Sequence, residues 1–315
     1  MIAQMGCGYW GINIFNTLKS LNVIKGYYDP TVDLDDRRVT KYNSFEELIN
    51  DNDVTGVAIA TPAATHYEIA KKCLLSKKSV FIEKPMCTNL LDAEKLGQLA
   101  IDNDCIISVG HLLIYHPHFV LLKELLKKNE IGKVQKVSAK RRFFGIRRLD
   151  EDVIWSFAPH DLSMIVDLFG SNIHDYSVIK RYFFNSDICD EAILSFKVND
   201  IDVEIDLSWL DPHKDNSFKV IGTDGAIIFN DNMPTDKKLS VSKFDLKIDT
   251  LKKTQLVSKY PECEFKSPLT LELEDFIESI NNKSQPKSSS DLGIEVVKQL
   301  HKIQDVDPKK IFCSL

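Results

Sequence analysis

The chain has 315 residues, of which 43% are hydrophobic, and it carries a formal net charge of -6. This length is typical of two domains, and the acidic balance gives no overall attraction to nucleic acid or to an anionic membrane surface. No apolar run reaches the ~20 residues of a membrane-spanning helix, so we expect no membrane partner. The seven cysteines are scattered without a Cys-x-x-Cys pair, which favours reduced thiols in a cytoplasm over a disulfide framework or a structural zinc.

A glycine-rich segment follows the first predicted strand, residues 2–5. Its glycines fit the pattern Gly-x-Gly-x-x-Gly and precede an amphipathic helix. A second predicted strand ends at Asp29, 21 residues after Gly8. Glycines let the backbone approach a pyrophosphate, and an acid at the tip of the next strand accepts hydrogen bonds from a ribose. We therefore predict a dinucleotide site with these contacts: Gly6, Gly8, Tyr9, Trp10, Gly11 and Asp29.

The residue at the tip of the second strand bears on the choice of coenzyme. Asp29 favours NAD over NADP, because a 2′-phosphate on the ribose would meet a carboxylate. Arg37 and Arg38 lie near enough in sequence to keep NADP open as the less favoured coenzyme.

Predicted strands and helices keep alternating up to residue 109. The strands cover residues 23–28, 57–60, 80–82 and 105–109, and the helices cover residues 45–50, 66–76 and 90–103. Ser44 and Glu47 fit a capping box at the start of the first of these helices. This alternation predicts a parallel, doubly wound sheet, and we place an α/β Rossmann domain at residues 1–116.

The predicted strand at residues 80–82 runs directly into Glu83, Lys84 and Pro85. Open α/β sheets bind ligands at the carboxyl ends of their strands, so we expect Lys84 to have a function there. The alternative is a structural ion pair with Glu83. Such a pair is unfavourable, because consecutive strand residues point to opposite faces.

After residue 116 the pattern changes. Strand-like segments cover residues 134–144, 188–198, 201–209, 218–222 and 226–229, and helices are predicted at 155–168, 269–280 and 292–303. Residues 199–200 and 222–225 are typical hairpin connections. Neighbouring strands joined in this way indicate an α+β domain with an open, mostly antiparallel sheet over residues 117–315, whose C-terminal helices can pack back on the first domain.

With these segments in place, the chain resembles the glucose-fructose oxidoreductase and inositol dehydrogenase (Gfo/Idh/MocA) family over essentially its whole length. The matching residues are Gly6-Cys7-Gly8-Tyr9-Trp10-Gly11, Ala60-Thr61-Pro62, Glu83-Lys84-Pro85 and His160. The resemblance implies a nicotinamide coenzyme and a carbohydrate-like substrate between the two domains.

The resemblance also implies further coenzyme contacts. The loop at Thr61 and Pro62 is expected to contact the nicotinamide ribose, and His66 is a further candidate. An alternative of equal weight is that Thr65 caps the following helix and that His66 is an ordinary exposed residue. The remaining expected contacts, Glu83 and Lys84, come from the end of the predicted strand at residues 80–82.

Residues 110–117 and 155–161 resemble the branch of this family that oxidises the 3-hydroxyl of UDP-N-acetylglucosamine before a transamination. This narrower resemblance implies a nucleotide-sugar substrate and a product that passes to an aminotransferase. Many family members carry an aspartate four residues before the helix histidine, where this chain has Ser156. The acid-base role therefore falls on His160, with Asp161 as a candidate helper and Lys84 as a candidate for a larger share of the proton transfer.

Hydride transfer turns an alcohol into a carbonyl, so a base must accept the hydroxyl proton. We assign this role to His160, because histidine titrates near neutrality and a positioned base contributes about 10²- to 10⁴-fold. Lys84 would hydrogen-bond the same oxygen and stabilise its developing negative charge. The alternative for His160 is a packing or capping role in its helix.

Three histidines lie close together in sequence at His111, His116 and His118. Their spacing matches no zinc-binding helix pattern, and Pro117 interrupts the helical periodicity, so we expect no metal site. We favour His116 as a substrate contact instead.

Five basic residues precede the predicted helix at 155–168: Lys140, Arg141, Arg142, Arg147 and Arg148. They fit either a charged strand edge that discourages aggregation or a clamp for the diphosphate of a nucleotide-sugar. We favour the clamp, with the last two arginines as the better candidates. The full set of candidate substrate contacts is His116, Arg147, Arg148, Trp155 and Asp161.

Together these features predict an NAD-dependent oxidoreductase that oxidises a ring hydroxyl of a nucleotide-sugar. The alternatives are a free polyol or sugar dehydrogenase of the inositol type, and a non-catalytic NAD-binding regulator. A large open antiparallel sheet needs a cover, so we also expect a homodimer or homotetramer.

Overall fold

The structure of the protein, a computed structural model, describes residues 1–36, 38–145, 147, 151–184, 187–244 and 257–312. The chain forms two compact units. The first comprises Met1–Tyr115 and Ser267–Lys298, and the second comprises His116–Lys266 and Gln299–Leu315. The first unit is therefore built from two separate stretches of sequence.

Strands and helices alternate through the amino-terminal part of the chain. In order they are β1 (Ile2–Met5), α1 (Gly11–Ser20), β2 (Ile24–Tyr28), β3 (Thr40–Lys41), α2 (Phe45–Asn50), β4 (Gly56–Ile59), α3 (His66–Leu75), β5 (Ser79–Ile82), α4 (Leu90–Asp102) and β6 (Ile107–Val109). The strands form one parallel sheet in the order β3-β2-β1-β4-β5-β6. The predicted Rossmann fold is confirmed, and the strand order reverses between β1 and β4, where such sheets bind ligands.

The rest of the chain supplies most of a second sheet and the last helices. These elements are α5 (Pro117–Lys127), β7 (Val134–Arg142), α6 (Val153–Phe169), β8 (Ile173–Tyr182), β9 (Glu191–Val198), β10 (Ile201–Ser208), β11 (Asp215–Gly222), β12 (Gly225–Asn230), β13 (Leu239–Lys243), β14 (Val257–Lys259), α7 (Pro268–Asn282), α8 (Ser290–Asp305) and β15 (Lys309–Phe312). The second sheet has the order β14-β13-β12-β11-β7-β10-β9-β8-β15. Of its strand pairs, β7–β10 and β8–β15 are parallel and the others are antiparallel, which confirms the predicted α+β class.

Both predicted hairpins are present. Ile201 pairs with Val198 across a tight turn, and Asn199 in that turn has a φ of 52°, a conformation that asparagine tolerates well. The second hairpin joins β11 to β12, where Ile221 pairs with Ala226.

The sequence prediction missed α5 and the strands β3, β8, β13, β14 and β15, and two of these omissions have a clear physical reason. Helix α5 was missed because Pro117 looked like an interruption, whereas it occupies the first turn and His116 caps the helix by accepting from the His118 amide at 3.3 Å. Strand β8 was missed because its pairing with β9 shifts register between His174 and Ser177, which breaks the alternation of apolar and polar residues.

The faces of the first sheet are covered by different groups of residues. Every residue of β4 and β5 is buried, as expected for central parallel strands. Val80 and Ile82 pack on one side of the sheet, while Phe81 packs on the other side against Leu273 and Phe276 of α7. The C-terminal helix α7 therefore completes a core of the first unit.

The described residues contain neither a membrane-spanning helix nor a cluster of metal-binding side chains. Within the ranges stated above, no helix is long and apolar enough to cross a membrane. The same residues contain no group of three or more histidine, cysteine or acidic side chains that could hold a metal ion.

Candidate active site

The glycine loop after β1 folds back tightly on the end of β4. Gly6 has a φ of 90°, and a Cβ at this position would lie 2.6 Å from the carbonyl oxygen of Ala60. A Cβ at Gly11 would lie 2.5 Å from the carbonyl oxygen of Gly6. Only glycine fits at these two positions, whereas a Cβ at Gly8 would meet nothing within 4 Å. Gly8 is thus open to the close approach of a ligand.

A buried glutamine that the sequence did not reveal holds this loop. Gln4 lies in β1 and its Nε2 donates to the carbonyl oxygens of Gly6 at 2.8 Å and Gly11 at 2.7 Å. Its side chain is 0% exposed. A polar residue inside a buried strand was the available signal, because such a side chain needs hydrogen-bond partners.

Asp29 lies just after β2, as predicted, and its carboxylate is held by the backbone around it. One oxygen accepts from the amide of Cys7 at 2.7 Å, and the other accepts from the amides of Thr31 at 2.8 Å and Val32 at 2.9 Å. Burial raises the pKa of Asp29, but these hydrogen bonds outweigh it and hold the pKa below its usual value. Asp29 is therefore ionised at neutral pH. Arg37 lies outside the described residues, and Arg38 is largely exposed.

His66 links the ends of two neighbouring strands. Its Nδ1 lies 2.9 Å from the carbonyl oxygen of Pro85, and its Nε2 lies 2.9 Å from the carbonyl oxygen of Thr61. The imidazole is 1% exposed, so the alternative of an ordinary exposed histidine is wrong. Thr65 does occupy the N-cap position, but its hydroxyl donates back to the carbonyl oxygen of Pro62 at 2.7 Å.

Replacing His66 with alanine is expected to lower the free energy of unfolding by about 2–4 kcal/mol, because it removes buried hydrogen bonds and leaves a cavity. Urea denaturation of the purified protein measures this change. Lys72→Ala, at an exposed position on the same helix, is the control and should cost under about 0.5 kcal/mol. A His66→Ala variant as stable as this control would show that the hydrogen bonds of His66 contribute little to the free energy of unfolding.

The end of β5 is joined to the glycine loop through Glu83. The indole Nε1 of Trp10 donates to the Glu83 carboxylate at 2.5 Å, and the amide of Lys84 donates to the other oxygen at 3.1 Å. Burial raises the pKa of Glu83 to about 7, although the Trp10 hydrogen bond and the Lys84 charge oppose the rise. The Lys84–Pro85 peptide bond is cis.

Gly110 leaves room for the carboxylate of Glu83. A Cβ at this position would lie 2.9 Å from Glu83 Oε2, so a larger residue would push the acid aside. The next residue, His111, is 1% exposed, and neither ring nitrogen has a hydrogen-bond partner among the described residues. Burial, together with the charge of Lys84, lowers the pKa of His111 to about 3. The imidazole is therefore neutral beside the lysine.

In the second unit, helix α6 carries the predicted base, His160. The helix begins two residues earlier than predicted, because Asp152 caps it by accepting from the amides of Ile154 at 3.0 Å and Trp155 at 3.1 Å. Trp155 is nearly buried and packs edge-on against His301, with ring centroids 5.4 Å apart.

Asp161, the residue after the predicted base, forms a buried ion pair with Arg141 of β7. Both carboxylate oxygens accept from the guanidinium at 2.9 Å, and the Asp161 side chain is 0% exposed. This bidentate pair fastens α6 to β7. Both oxygens of Asp161 thus have a partner in the second unit, and its contact with substrate stays a prediction.

His116 is also enclosed within the second unit. Its side chain is 4% exposed, and its Nε2 lies 3.5 Å from Asp231 Oδ1. Asp231 also pairs with Lys238, and its pKa is lowered by these two contacts in spite of burial, which raises it. His116 thus has a structural role in the second unit, and its contact with substrate stays a prediction.

Each of the four basic residues before α6 that the structure describes has an acidic partner. Lys140 pairs with Asp215, Arg141 with Asp161, Arg142 with Asp206 and Asp211, and Arg147 with Asp190. Arg147 donates to Asp190 at 2.6 Å, and its Nη2 has no hydrogen-bond partner among the described residues. Arg148, the other preferred clamp residue, lies outside them.

Family models match both parts of the chain. Residues 31–111 match the oxidoreductase family with an NAD-binding Rossmann fold, and residues 119–228 match the GFO/IDH/MocA C-terminal domain. The chain belongs to the GFO/IDH/MocA oxidoreductase family. This confirms the family predicted from sequence, and it makes the parallel-sheet unit the NAD-binding Rossmann domain of the family.

Part of this chain is similar in sequence to dehydrogenases of named substrate. The inositol 2-dehydrogenase of Salmonella typhimurium is 27% identical over 147 residues, which cover 45% of this chain and 42% of that protein. The chain spans less than two thirds of the length of the curated relatives it first matches.

Solved structures match the fold over nearly the whole chain. UDP-N-acetylglucosamine 3-dehydrogenase GnnA from Acidithiobacillus ferrooxidans has a TM-score of 0.82 at 20% identity, covering 96% of this chain and 95% of that one. KijD10, a 3-ketoreductase from Actinomadura kijaniata in complex with TDP-benzene and NADP, has a TM-score of 0.82 at 13% identity, covering 99% and 98%. At these identities the comparison shows a shared fold.

Proposed function

We propose that this protein is an NAD-dependent dehydrogenase that oxidises a ring hydroxyl of a nucleotide-sugar to a ketone. The observation that carries the proposal is the position of Lys84 at the carboxyl end of β5. Glu83, beside it, is hydrogen-bonded to Trp10 of the glycine loop at 2.5 Å. A lysine so close to the coenzyme loop is suited to act on the substrate atom that reacts.

The residues present fit a nicotinamide dinucleotide. The open space at Gly8 suits a pyrophosphate, and the ionised Asp29 suits a ribose without a 2′-phosphate, so NAD is favoured over NADP. Thr61 and Pro62 follow β4 at the same edge of the sheet and remain proposed coenzyme contacts. When bound, the coenzyme accepts a hydride.

The chain's own residues handle the proton and the charge. Lys84 donates a hydrogen bond to the substrate hydroxyl oxygen and stabilises the negative charge that develops there. His160 accepts the hydroxyl proton as general base. His111 stays neutral at working pH, so it adds no competing positive charge next to Lys84.

A nucleotide-sugar substrate, with UDP-N-acetylglucosamine and its 3-hydroxyl as the first choice, is supported by the stretches at residues 110–117 and 155–161. The GnnA and KijD10 names refer to a UDP-sugar 3-dehydrogenase and a 3-ketoreductase with a bound TDP ligand. The ketone would be consumed by an aminotransferase. The proposed substrate contacts are Trp155, Arg147 and Arg148. His116 and Asp161 are less favoured, because each already has a charged partner.

A free polyol of the inositol type is the second candidate. One observation favours it, because Lys140, Arg141, Arg142 and Arg147 each pair with an acid of the same unit. A diphosphate clamp made of these residues would have to compete with those acids. The inositol dehydrogenase among the relatives is consistent with this candidate.

NADH formation with a panel of UDP-sugars and inositols distinguishes the two candidates. We expect turnover with UDP-N-acetylglucosamine and competitive inhibition by UDP. Turnover of an inositol that UDP does not inhibit would replace the first candidate with the second. No turnover of any member, with NADH bound, would favour a regulator instead.

His160→Gln is expected to lower turnover by about 10²- to 10⁴-fold with the best substrate of that panel. His174→Gln, at a half-exposed histidine of β8, is the matched control and should retain activity. A His160→Gln variant with unchanged turnover would leave the imidazole with a packing role in α6.

We further propose that the protein forms a homodimer or homotetramer through its nine-stranded sheet. Light scattering of the purified protein tests this. A monomer at assay concentration would show that the open sheet is stable in water.

A further inference from the structure

A second buried acid lies on the face of α7 that covers the parallel sheet. Glu272 is 1% exposed, and its Oε1 has no hydrogen-bond partner among the described residues. One helical turn along, Phe276 packs on Phe81 of β5, with ring centroids 6.1 Å apart. Residues four apart share a helix face and residues two apart share a strand face. This spacing puts Glu272 on the face of α7 that is directed towards Glu83, and the charge of Glu83 acts on Glu272.

The two carboxyl groups have different surroundings. Burial, then the charges of Glu83 and Asp275, raise the pKa of Glu272 well above its usual value. Glu83 accepts hydrogen bonds from the Trp10 indole and from the Lys84 amide, and the Lys84 ammonium lies nearby. None of these groups supports Glu272 among the described residues. Two close buried acids do not ionise together, so the better supported one, Glu83, carries the charge.

We propose that Glu272 is a positioning residue of the coenzyme site, held as a neutral carboxylic acid that donates its proton to a hydrogen bond with the ionised Glu83. The ionised Glu83 in turn holds Trp10 of the glycine loop next to Lys84. A buried acid kept neutral so that it can donate is an established device in proteins. The inference rests on the coenzyme site of the proposed function, but its first test needs neither coenzyme nor substrate.

The pH dependence follows from the groups around Glu83. Lys84 follows Glu83 in sequence, and Trp10 donates to it. On α7, Glu272 responds to the charges of Glu83 and Asp275, and the neutral His111 responds to Lys84. Since the pKa of Glu83 is about 7, the acid is ionised above pH 7 and neutral below it. The Trp10 hydrogen bond loses its charge-assisted character as the pH falls, so the glycine loop is held best above pH 7.

The indole N–H of Trp10 reports directly on Glu83, because the two are hydrogen-bonded. Its ¹H–¹⁵N NMR signal, assigned with a Trp10→Phe variant, is expected to titrate near pH 7 in the intact protein. Glu272→Leu removes the donor and should raise this midpoint by about one pH unit. Glu272→Gln keeps a donor of the same shape and should leave the midpoint near its original value. Glu278→Gln, at an exposed position of α7, is the control.

Different results would overturn the proposal. If Glu272 were ionised, both replacements would remove a negative charge and lower the midpoint. If Glu272 only filled space, neither would move it. The affinity for NADH, measured over the same pH range, should weaken at least about 3-fold as Glu83 takes up its proton, and this pH dependence should disappear in Glu83→Gln. If the NADH affinity does not change with pH around the midpoint of the Trp10 signal, the positioning role is refuted, while the proposed dehydrogenase activity is not affected.

Discussion

Replacing Lys84 with methionine is expected to lower turnover by about 10²- to 10⁴-fold, because the substrate oxygen loses the donor that stabilises its developing negative charge. Methionine keeps most of the length and apolar volume of the lysine stem, so the loss reports on the ammonium group. Steady-state NADH formation with the best substrate of the panel measures the effect. NADH affinity should be measured in parallel, since Lys84 also lies next to the coenzyme loop.

The matched control for Lys84→Met is Lys72→Met, which removes an exposed ammonium from α3 in the same unit. It should change turnover by less than about 2-fold, since exposed ion pairs contribute little. Turnover of the Lys84 variant within about 3-fold of the control would remove this lysine from the mechanism. If only NADH affinity fell, Lys84 would be a coenzyme contact without a role in the hydride step.

Replacing Asp161 with alanine is expected to lower the free energy of unfolding by about 3–5 kcal/mol, because the Arg141 guanidinium would stay buried without its partner. The two side chains are 0% and 11% exposed, so water cannot easily replace the lost contacts. Urea denaturation, with circular dichroism as the signal, measures this change.

Two further variants make the Asp161 result specific. The double replacement Arg141→Met with Asp161→Leu removes both charges and should recover most of the lost stability. Asp202→Ala breaks an exposed pair with Lys197 in the same sheet and should cost under about 1 kcal/mol. Equal losses for the buried and the exposed pair would show that α6 is not fastened by Arg141.

The coenzyme edge of the first unit was predictable because its signals are local. The glycines, Asp29 and the charged end of β5 are each recognised from a few residues on either side, and all lie where the sequence places them. The same reasoning could not reveal Gln4 or Glu272. Their importance depends on which loop or strand lies against them, and Glu272 faces a strand nearly 200 residues earlier.

The second unit was harder to predict for a related reason. The sequence identifies Asp161 and His116 as chemically capable residues, but it does not show which charged groups neutralise them. Arg141 and Asp231 supply those partners only after the sheet has formed. A capable side chain beside a predicted base therefore needs its partners known before it is assigned to substrate.

The two-part construction of the first unit also affects how the chain folds during synthesis. The face of β5 that carries Phe81 is covered by Leu273 and Phe276, which leave the ribosome about 190 residues later. Domains usually fold in order from the amino terminus. Here the parallel sheet is made first but keeps an apolar face uncovered until the last part of the chain appears. Nascent chains that stop before α7 should therefore aggregate or bind chaperones, whereas chains that extend past it should become resistant to proteases.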